Sequence, residues 1–226
     1  MSDVALRCTN IRPGRPAPEW TDAISFDVSV GSWFVLRTTP ARSAALLRLC
    51  VGLDEPLPPG AVEVLGKRPG DLARDAAFNF RRALGVALQP DGLVSNLTLH
   101  RNLVVPLVYS GHRSPRDAAA RARAVLEALN LAAYADARPS ELAPDVRQVA
   151  AIARALAPEP SLLLLEDPLN AVRSRVASEV FAYCRSQVPT ALVTCFRRSE
   201  PLYELADSLT LWDARGFVAA AEAGVE

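Results

Sequence analysis

Residues 161–168 read SLLLLEDP, four leucines running straight into Glu166, Asp167 and Pro168. Two carboxylates at the carboxyl end of an apolar strand are suited to holding a divalent cation and activating a water, so this pair is the first candidate for chemistry. Other candidates are sparse. Cys8, Cys50, Cys184 and Cys195 are scattered without Cys-x-x-Cys spacing and read as reduced, buried thiols rather than disulfides or zinc ligands. Lys67 is the single lysine among 25 basic residues, which leaves one residue for any chemistry that requires a lysine amine.

The elements that must position these groups alternate between strand and helix. DAISFDVSV places Ile24, Phe26, Val28 and Val30 on one face of a half-buried strand, and WFVLR after Gly31 is a short apolar strand. SAALLRLCVGL supplies helix formers, and Gly52 with the prolines of LDEPLPPG ends the helix. AVEVLG and LGVAL read as further strands. Roughly 70 residues of helix signals follow: TLHRNLVVPLVYSG, then Ser114 and Pro115 as cap and first turn with Asp117 near the start, then AAARARAVLEALN. The sheet resumes with SLLLLE and continues through helix VRSRVASEVFAYCRSQ and strands TALVTC and DSLTLWD to an Ala-rich tail.

With 226 residues, half of them hydrophobic, and a formal net charge of zero, the chain suits one α/β domain. The expected division is a single domain over 1–226, with a helical subdomain inserted at 91–158. Interspersed charge without a basic stripe excludes a nucleic-acid binder held by electrostatics. The first residues lack a leader pattern and no apolar run approaches the ~20 residues of a membrane span, so a soluble, cytoplasmic chain is expected.

Strand, turn, helix, helical insertion, apolar strand ending in acids, helix and strand is the order of a P-loop NTPase, and more narrowly the chain resembles the ATP-binding cassette of ABC transporters. LGVALQPDGLVSNLTLHRNLVVPL resembles the Q-loop and its helix, with Gln89 as the glutamine. PSELAPDVRQVAAIARALAPEPSLLLLEDP resembles the signature helix running into the Walker B strand, and ALVTCF lies where the switch-histidine strand ends. Within the family, NLTLHRNLVVPL is most similar to bacterial lipid-transport cassettes of the lipid-asymmetry type. The resemblance implies a RecA-like sheet core with an inserted helical subdomain.

Position by position, the resemblance also marks departures. A Walker A loop uses glycines to close backbone amides around phosphates, a lysine on the β- and γ-phosphates and a Ser/Thr hydroxyl on magnesium. Aligned on ALLRL, the segment is Arg37, Thr38, Thr39, Pro40, Ala41, Arg42, Ser43, Ala44, Ala45: arginines at both glycine positions, Ser43 for the lysine and Ala44 for the magnesium hydroxyl. It reads as a plain strand-to-helix turn, with a phosphate grip through Arg37 and Arg42 as the alternative. The signature Ser-Gly-Gly is Ala143, Pro144 and Asp145, which would set a carboxylate against polyphosphate yet suits a helix N-terminus. Cys195, followed by Phe196, takes the switch-histidine place, and the D-loop aspartate is Arg173. The family acids run Asp then Glu, whereas here Glu166 precedes Asp167. Gln89 reads equally as a retained docking residue or as an ordinary loop glutamine.

The resemblance therefore implies a non-catalytic cassette on the cytoplasmic face of a membrane permease, beside a second cassette chain, with no nucleic acid and no cofactor expected. The alternative is an active ATPase in an asymmetric heterodimer, with ATP and Mg2+ held by a catalytic partner. The groove from Gln89 to Leu107 is the expected permease dock.

Overall fold

The computed structural model of the chain describes residues 3–14, 20–89, 91–109, 113–213 and 216–219. Alternating apolar residues near the start build an antiparallel layer. Strand β1 (Val4–Ile11) pairs with β2 (Ile24–Ser29) on one side and with β4 (Ala61–Val64) on the other. Sequence periodicity extends β2 to Val30, but the strand stops at Ser29. Val30 is 60% exposed in the turn ahead of Gly31, whose φ of 83° redirects the chain.

Among the described residues, the principal sheet has six strands in the order β5-β6-β7-β3-β8-β9. These are β3 (Trp33–Arg37), β5 (Leu84–Ala87), β6 (Leu162–Glu166), β7 (Ala191–Cys195), β8 (Ser208–Asp213) and β9 (Gly216–Ala219). All neighbours are parallel except β8 with β9. The leucine run of β6 follows from its central position. Leu163 and Leu165 face the core that holds Trp33 and Phe181, whereas Leu162 and Leu164 face the core that holds Leu46 and Phe34. A strand covered on both faces has no place for polar alternation.

Helices fill the crossovers. Helix α1 (Pro40–Cys50) packs between the two sheets, and α2 (Arg74–Arg82) precedes β5. Between β5 and β6 the chain forms α3 (Leu99–Tyr109), α4 (Pro115–Ala128) and α5 (Pro144–Leu156). Ser114 caps α4 by accepting from the Asp117 amide, as the sequence suggests. Helix α6 (Ser174–Gln187) and the short α7 (Glu200–Leu205) complete the set. Among the described residues, no helix is long and apolar enough to cross a membrane.

The approach of α5 to β5 depends on one missing side chain. A Cβ on Gly85 would lie 2.6 Å from the Ala155 carbonyl oxygen, 2.6 Å from Leu163 Cδ2 and 2.7 Å from Pro160 Cγ. Gly85→Ala is therefore expected to lower stability by about 1–3 kcal/mol through overpacking. Urea unfolding checks it, and an unchanged midpoint would contradict so close a contact.

Candidate functional site

Strands β3, β6 and β7 end together at the carboxyl edge of the sheet, where open α/β folds place ligands. The connection from β3 to α1 is short. Only Thr38 and Thr39 separate Arg37 from Pro40, the first residue of the helix. Thr39 is the cap: its hydroxyl accepts from the Arg42 amide at 3.5 Å and its carbonyl accepts from the Ser43 amide at 3.0 Å. Proline at the first helical position is preorganised for this start. The sequence reading opened the helix at Ser43, and the Thr39-Pro40 signal moves it one turn earlier. The Thr38 amide donates to the Cys195 carbonyl at 2.9 Å and its hydroxyl to the Trp212 carbonyl at 3.1 Å.

Arg42 is held at the carboxyl end of β8. Arg42 Nη1 donates to the Trp212 carbonyl at 3.0 Å, and the guanidinium lies 5.1 Å from the Trp212 ring centroid. Trp212 is in turn met edge-on by Trp20 at 4.5 Å. Arg37 stands at the end of β3 opposite Cys195. Ala41, Ala44 and Ala45 bring only methyl groups to this segment.

Ser43 is wholly buried and joins the acids. Its hydroxyl donates to Glu166 Oε1 at 3.1 Å and lies 2.7 Å from Thr194 Oγ1. The other carboxylate oxygen of Glu166 accepts from the Gln89 amide at 3.1 Å. The Gln89 side chain reaches past it, Nε2 donating to the Asp167 carbonyl at 3.0 Å. Gln89 is thus no free surface glutamine but a half-buried bridge between the β5 end and the β6 end.

Asp167 has φ of 40° and Leu169 of 59°, both in the left-handed region that side chains other than glycine seldom occupy. The turn is held by its own polar groups. Asp167 Oδ1 accepts from the Phe196 amide at 3.0 Å and Oδ2 from Asn170 Nδ2. Asn170 Oδ1 accepts from Gln148 Nε2 at 2.6 Å, and the Ala171 amide donates to Gln148 Oε1 at 2.9 Å. Glu166 is 7% and Asp167 9% exposed, and each of their carboxylate oxygens accepts from a donor within the chain.

Ala143, Pro144 and Asp145 open α5 and are exposed, with Asp145 Oδ1 accepting from the Val146 amide at 2.9 Å. No hydrogen bond or ion pair joins them to the Ser43–Glu166 cluster. Arg173 caps α6 by backbone only. Cys195 is buried, and burial together with the Asp167 carboxylate pushes its thiol up to about 12, so it stays a neutral thiol at physiological pH. All four cysteines are buried and unpaired. Sequence reasoning missed Thr194, which completes the Ser43 network, and Gln148, which ties α5 to the turn after β6. Neither carries a sequence signal apart from its place near a strand end or in a helix.

Burial raises the Glu166 pKa above its ordinary value of 4.5; Asp167 adds to this, while the Gln89 amide and the Ser43 hydroxyl oppose it. The folded chain then binds this proton more tightly than the unfolded chain. Stability from the group is complete below 4.5 and is lost as pH rises through the raised value. Glu166→Gln keeps a donor and an acceptor in place but does not titrate. Urea unfolding of both proteins across this range should show the stability of the wild type, relative to the variant, falling as pH rises. A difference that is flat or rises with pH would contradict a raised pKa.

Apart from the sheet edge, α2, β5, α3 and α5 enclose a groove of about 720 Å³. Phe78 and Tyr109 stand on its rim, 51% and 81% exposed, and Arg82 and Arg154 line its wall.

This geometry has close relatives. The model of the ABC transporter family matches residues 42–170, more than half of the chain. The lipoprotein-releasing system ATP-binding protein LolD of Chromohalobacter salexigens is 30% identical over 187 residues, covering 80% of this chain and 78% of that protein. The methionine import ATP-binding protein MetN 2 of Paraburkholderia xenovorans is 32% identical over 164 residues; these cover 72% of this chain but only 42% of that longer protein. Among solved structures, the dimeric post-hydrolysis state of the ATP-binding cassette MJ0796, bound to ADP and Pi, superposes with a TM-score of 0.79 at 21% identity, covering 91% of this chain and 93% of that one. The cbiO1 cassette from Clostridium perfringens gives 0.75 at 15% identity, covering 93% and 85%. The structural likenesses establish an α/β P-loop NTPase fold, and the sequence matches go further: this chain belongs to the ABC transporter family, as one of its ATP-binding cassettes.

Proposed function

We propose that the chain is a cassette without nucleotide chemistry, a pseudo-ATPase subunit that docks on a membrane permease and sits at the inner membrane face through that contact. The observation that carries this reading is the Thr39-capped start of α1 with Ser43 sealed against Glu166 and Thr194. A phosphate cradle needs amides left free to face an anion. Here Pro40 has no amide hydrogen, and the Thr38, Arg42 and Ser43 amides already donate within the chain. Ser43 provides no ammonium and Ala44 no hydroxyl. Residues 37–45 therefore do not fit ATP with magnesium, and the acids beyond them are satisfied internally. What remains is a scaffold. We take 1–226 as one cassette unit, with 91–158 as its helical arm and the groove beside α3 as the permease dock.

A partner cassette is part of this reading, by likeness to dimeric MJ0796. The relative with matching coverage belongs to a lipoprotein-releasing system, which favours a lipid-bearing cargo over a free amino acid. A second reading rests on the exposed Ala143–Asp145 end of α5, which is open to a neighbouring chain. In it, a catalytic partner supplies the complete phosphate site and all turnover. The test is calorimetry with millimolar ATP and magnesium on the purified chain. No saturable binding is expected, and a dissociation constant of about 10 µM or below, roughly −7 kcal/mol, would overturn the proposal.

A further inference from the structure

Away from both the sheet edge and the groove, a cavity of about 390 Å³ opens between the end of β1, the loop after α1, the turn Pro69–Asp71 and α2, a size that small-molecule sites occupy. Its walls are tied together through the backbone. The Gly14 amide donates to the Glu55 carbonyl at 2.9 Å, and the Leu57 amide to the Arg12 carbonyl at 2.8 Å. Two glycines let these segments approach so closely. A Cβ on Gly14 would lie 2.7 Å from the Glu55 carbonyl oxygen, and one on Gly52, where φ is 68°, would lie 2.8 Å from Pro69 Cβ. The charges on the lining divide into a committed pair and an open one. Asp54 accepts from Arg48 at 2.6 and 3.1 Å, and its side chain keeps only 7% exposure. Glu55 and Arg81 remain. The Glu55 side chain forms no hydrogen bond or ion pair with a described residue; it lies over Gly70, whose added Cβ would meet its Cγ at 3.3 Å. Arg81 donates through Nε and Nη2 to the Val51 and Gly52 carbonyls at 3.0 Å each, which fixes the guanidinium in place but meets it with no carboxylate among the described residues. A carboxylate and a guanidinium thus line one cavity without reaching each other.

A simple ion would answer one of these charges and leave the other open, whereas a small zwitterion answers both with charge-assisted bonds. The ammonium end is favoured twice, by Glu55 and by the negative end of α1, whose last residue, Cys50, lies two positions before Gly52. The carboxylate end matches the Arg81 guanidinium, already held by its two carbonyl bonds and so immobilised at little further cost. Leu53, 51% exposed, together with Leu72 and Ala77 offers an apolar wall that a hydrocarbon side chain would cover. We propose that this cavity binds a free amino acid with an apolar side chain, its ammonium on Glu55 and its carboxylate on Arg81. The site lies at the far end of α1 from the Ser43–Glu166 cluster, so it depends on neither the nucleotide chemistry nor the permease reading.

The test is calorimetry on the purified chain with three probes: L-leucine, and its two halves in charge, isoamylamine and isocaproate. Leucine should bind saturably with a dissociation constant of about 1 mM or below, and each half should bind about 10-fold or more weakly for want of one charge-assisted contact. Glu55→Gln should weaken leucine about 10-fold or more for the same reason. Gly70→Ala changes no charge but crowds Glu55, and should also weaken leucine while melting like the wild type. Because Arg81 also caps α1, it is tested by Arg81→Lys, which keeps a cation there and loses the fork; leucine affinity should fall several-fold. Glu127→Gln, on the exposed side of α4, should leave leucine affinity unchanged and serves as the charge control. No saturable binding of leucine at tens of millimolar overturns the proposal. Binding of the amine or the acid as tightly as leucine overturns it in favour of a ligand with a single charge. Leucine binding that is indifferent to both Glu55→Gln and Gly70→Ala puts the ligand elsewhere on the chain and overturns it as well.

Discussion

Trp33→Ala should lower the stability of this protein by about 3–5 kcal/mol, a large fraction of what a domain of this size possesses. Trp33 is fully buried at the start of β3, between β7 and β8. Its ring meets Phe181 edge-on at 6.3 Å, so truncation opens a cavity between the sheet and α6. The loss is also polar. Trp33 Nε1 donates to the Val188 carbonyl at 3.2 Å, and that carbonyl would be left buried without its donor. Backbone bonds resist the change only locally: the Trp33 amide donates to Asp207 Oδ2 at 2.7 Å and its carbonyl accepts from the Asp207 amide at 3.0 Å. Trp33→Phe keeps most of the volume and loses the hydrogen bond, so it should cost clearly less. Equilibrium urea unfolding followed by circular dichroism separates the two. Equal losses from Phe and Ala would mean that the hydrogen bond, not the cavity, dominates at this position.

The sheet was legible from the chain because its strands are short apolar runs bounded by glycine, proline or acids, as WFVLR, LGVAL, SLLLLE and TALVTC are. Strand β1 was not, since the adjacent buried pair Ala5-Leu6 and the adjacent exposed pair Thr9-Asn10 break the alternation and its partner β4 lies more than 50 residues away in the chain. Helix α2 was hidden by charge: five of its nine residues are Arg, Asp or Asn, and one buried aromatic, Phe80, anchors it. Strand β9 lies in a tail that composition reads as helix-prone or irregular, and only pairing with β8 makes it a strand. At the site, the sequence identified the right residues but not their engagement. Ser43, Glu166 and Gln89 are 46 to 123 positions apart in the chain, so their hydrogen bonds are products of the fold. Spacing could suggest that the acids face a crevice; it could not reveal that Ser43 and the Gln89 amide had already filled their lone pairs.

Opening that closed edge should be achievable at the loop alone. A variant carrying Arg37→Gly, Pro40→Ser, Arg42→Gly, Ser43→Lys and Ala44→Ser recreates the glycine, lysine and hydroxyl pattern of a Walker A segment. Two glycines permit the positive φ angles of an anion nest, and replacing Pro40 restores an amide hydrogen. The introduced lysine takes the Ser43 place and meets Glu166, whose carboxylate compensates its charge in the empty state. Each charge-assisted bond to phosphate contributes about 1.5–3 kcal/mol, so two net gains suffice for about a 100-fold rise in affinity for ATP with magnesium, near 2.7 kcal/mol. Removing Arg42 also frees the face of Trp212 that its guanidinium now covers at 5.1 Å. Turnover is not expected to follow. On the proposed alignment with the family, Glu166 and Asp167 are each one methylene from the family order, a displacement near 1 Å that can cost about 100-fold, and Cys195, a neutral thiol, takes the place of the family imidazole. Calorimetry and phosphate release on the same preparation give both answers. Absence of any affinity gain in a variant that melts normally would show that more than this loop closes the site. Phosphate release well above the wild type would show that Glu166, Asp167 and Cys195 are already competent, with the loop as the only barrier to hydrolysis.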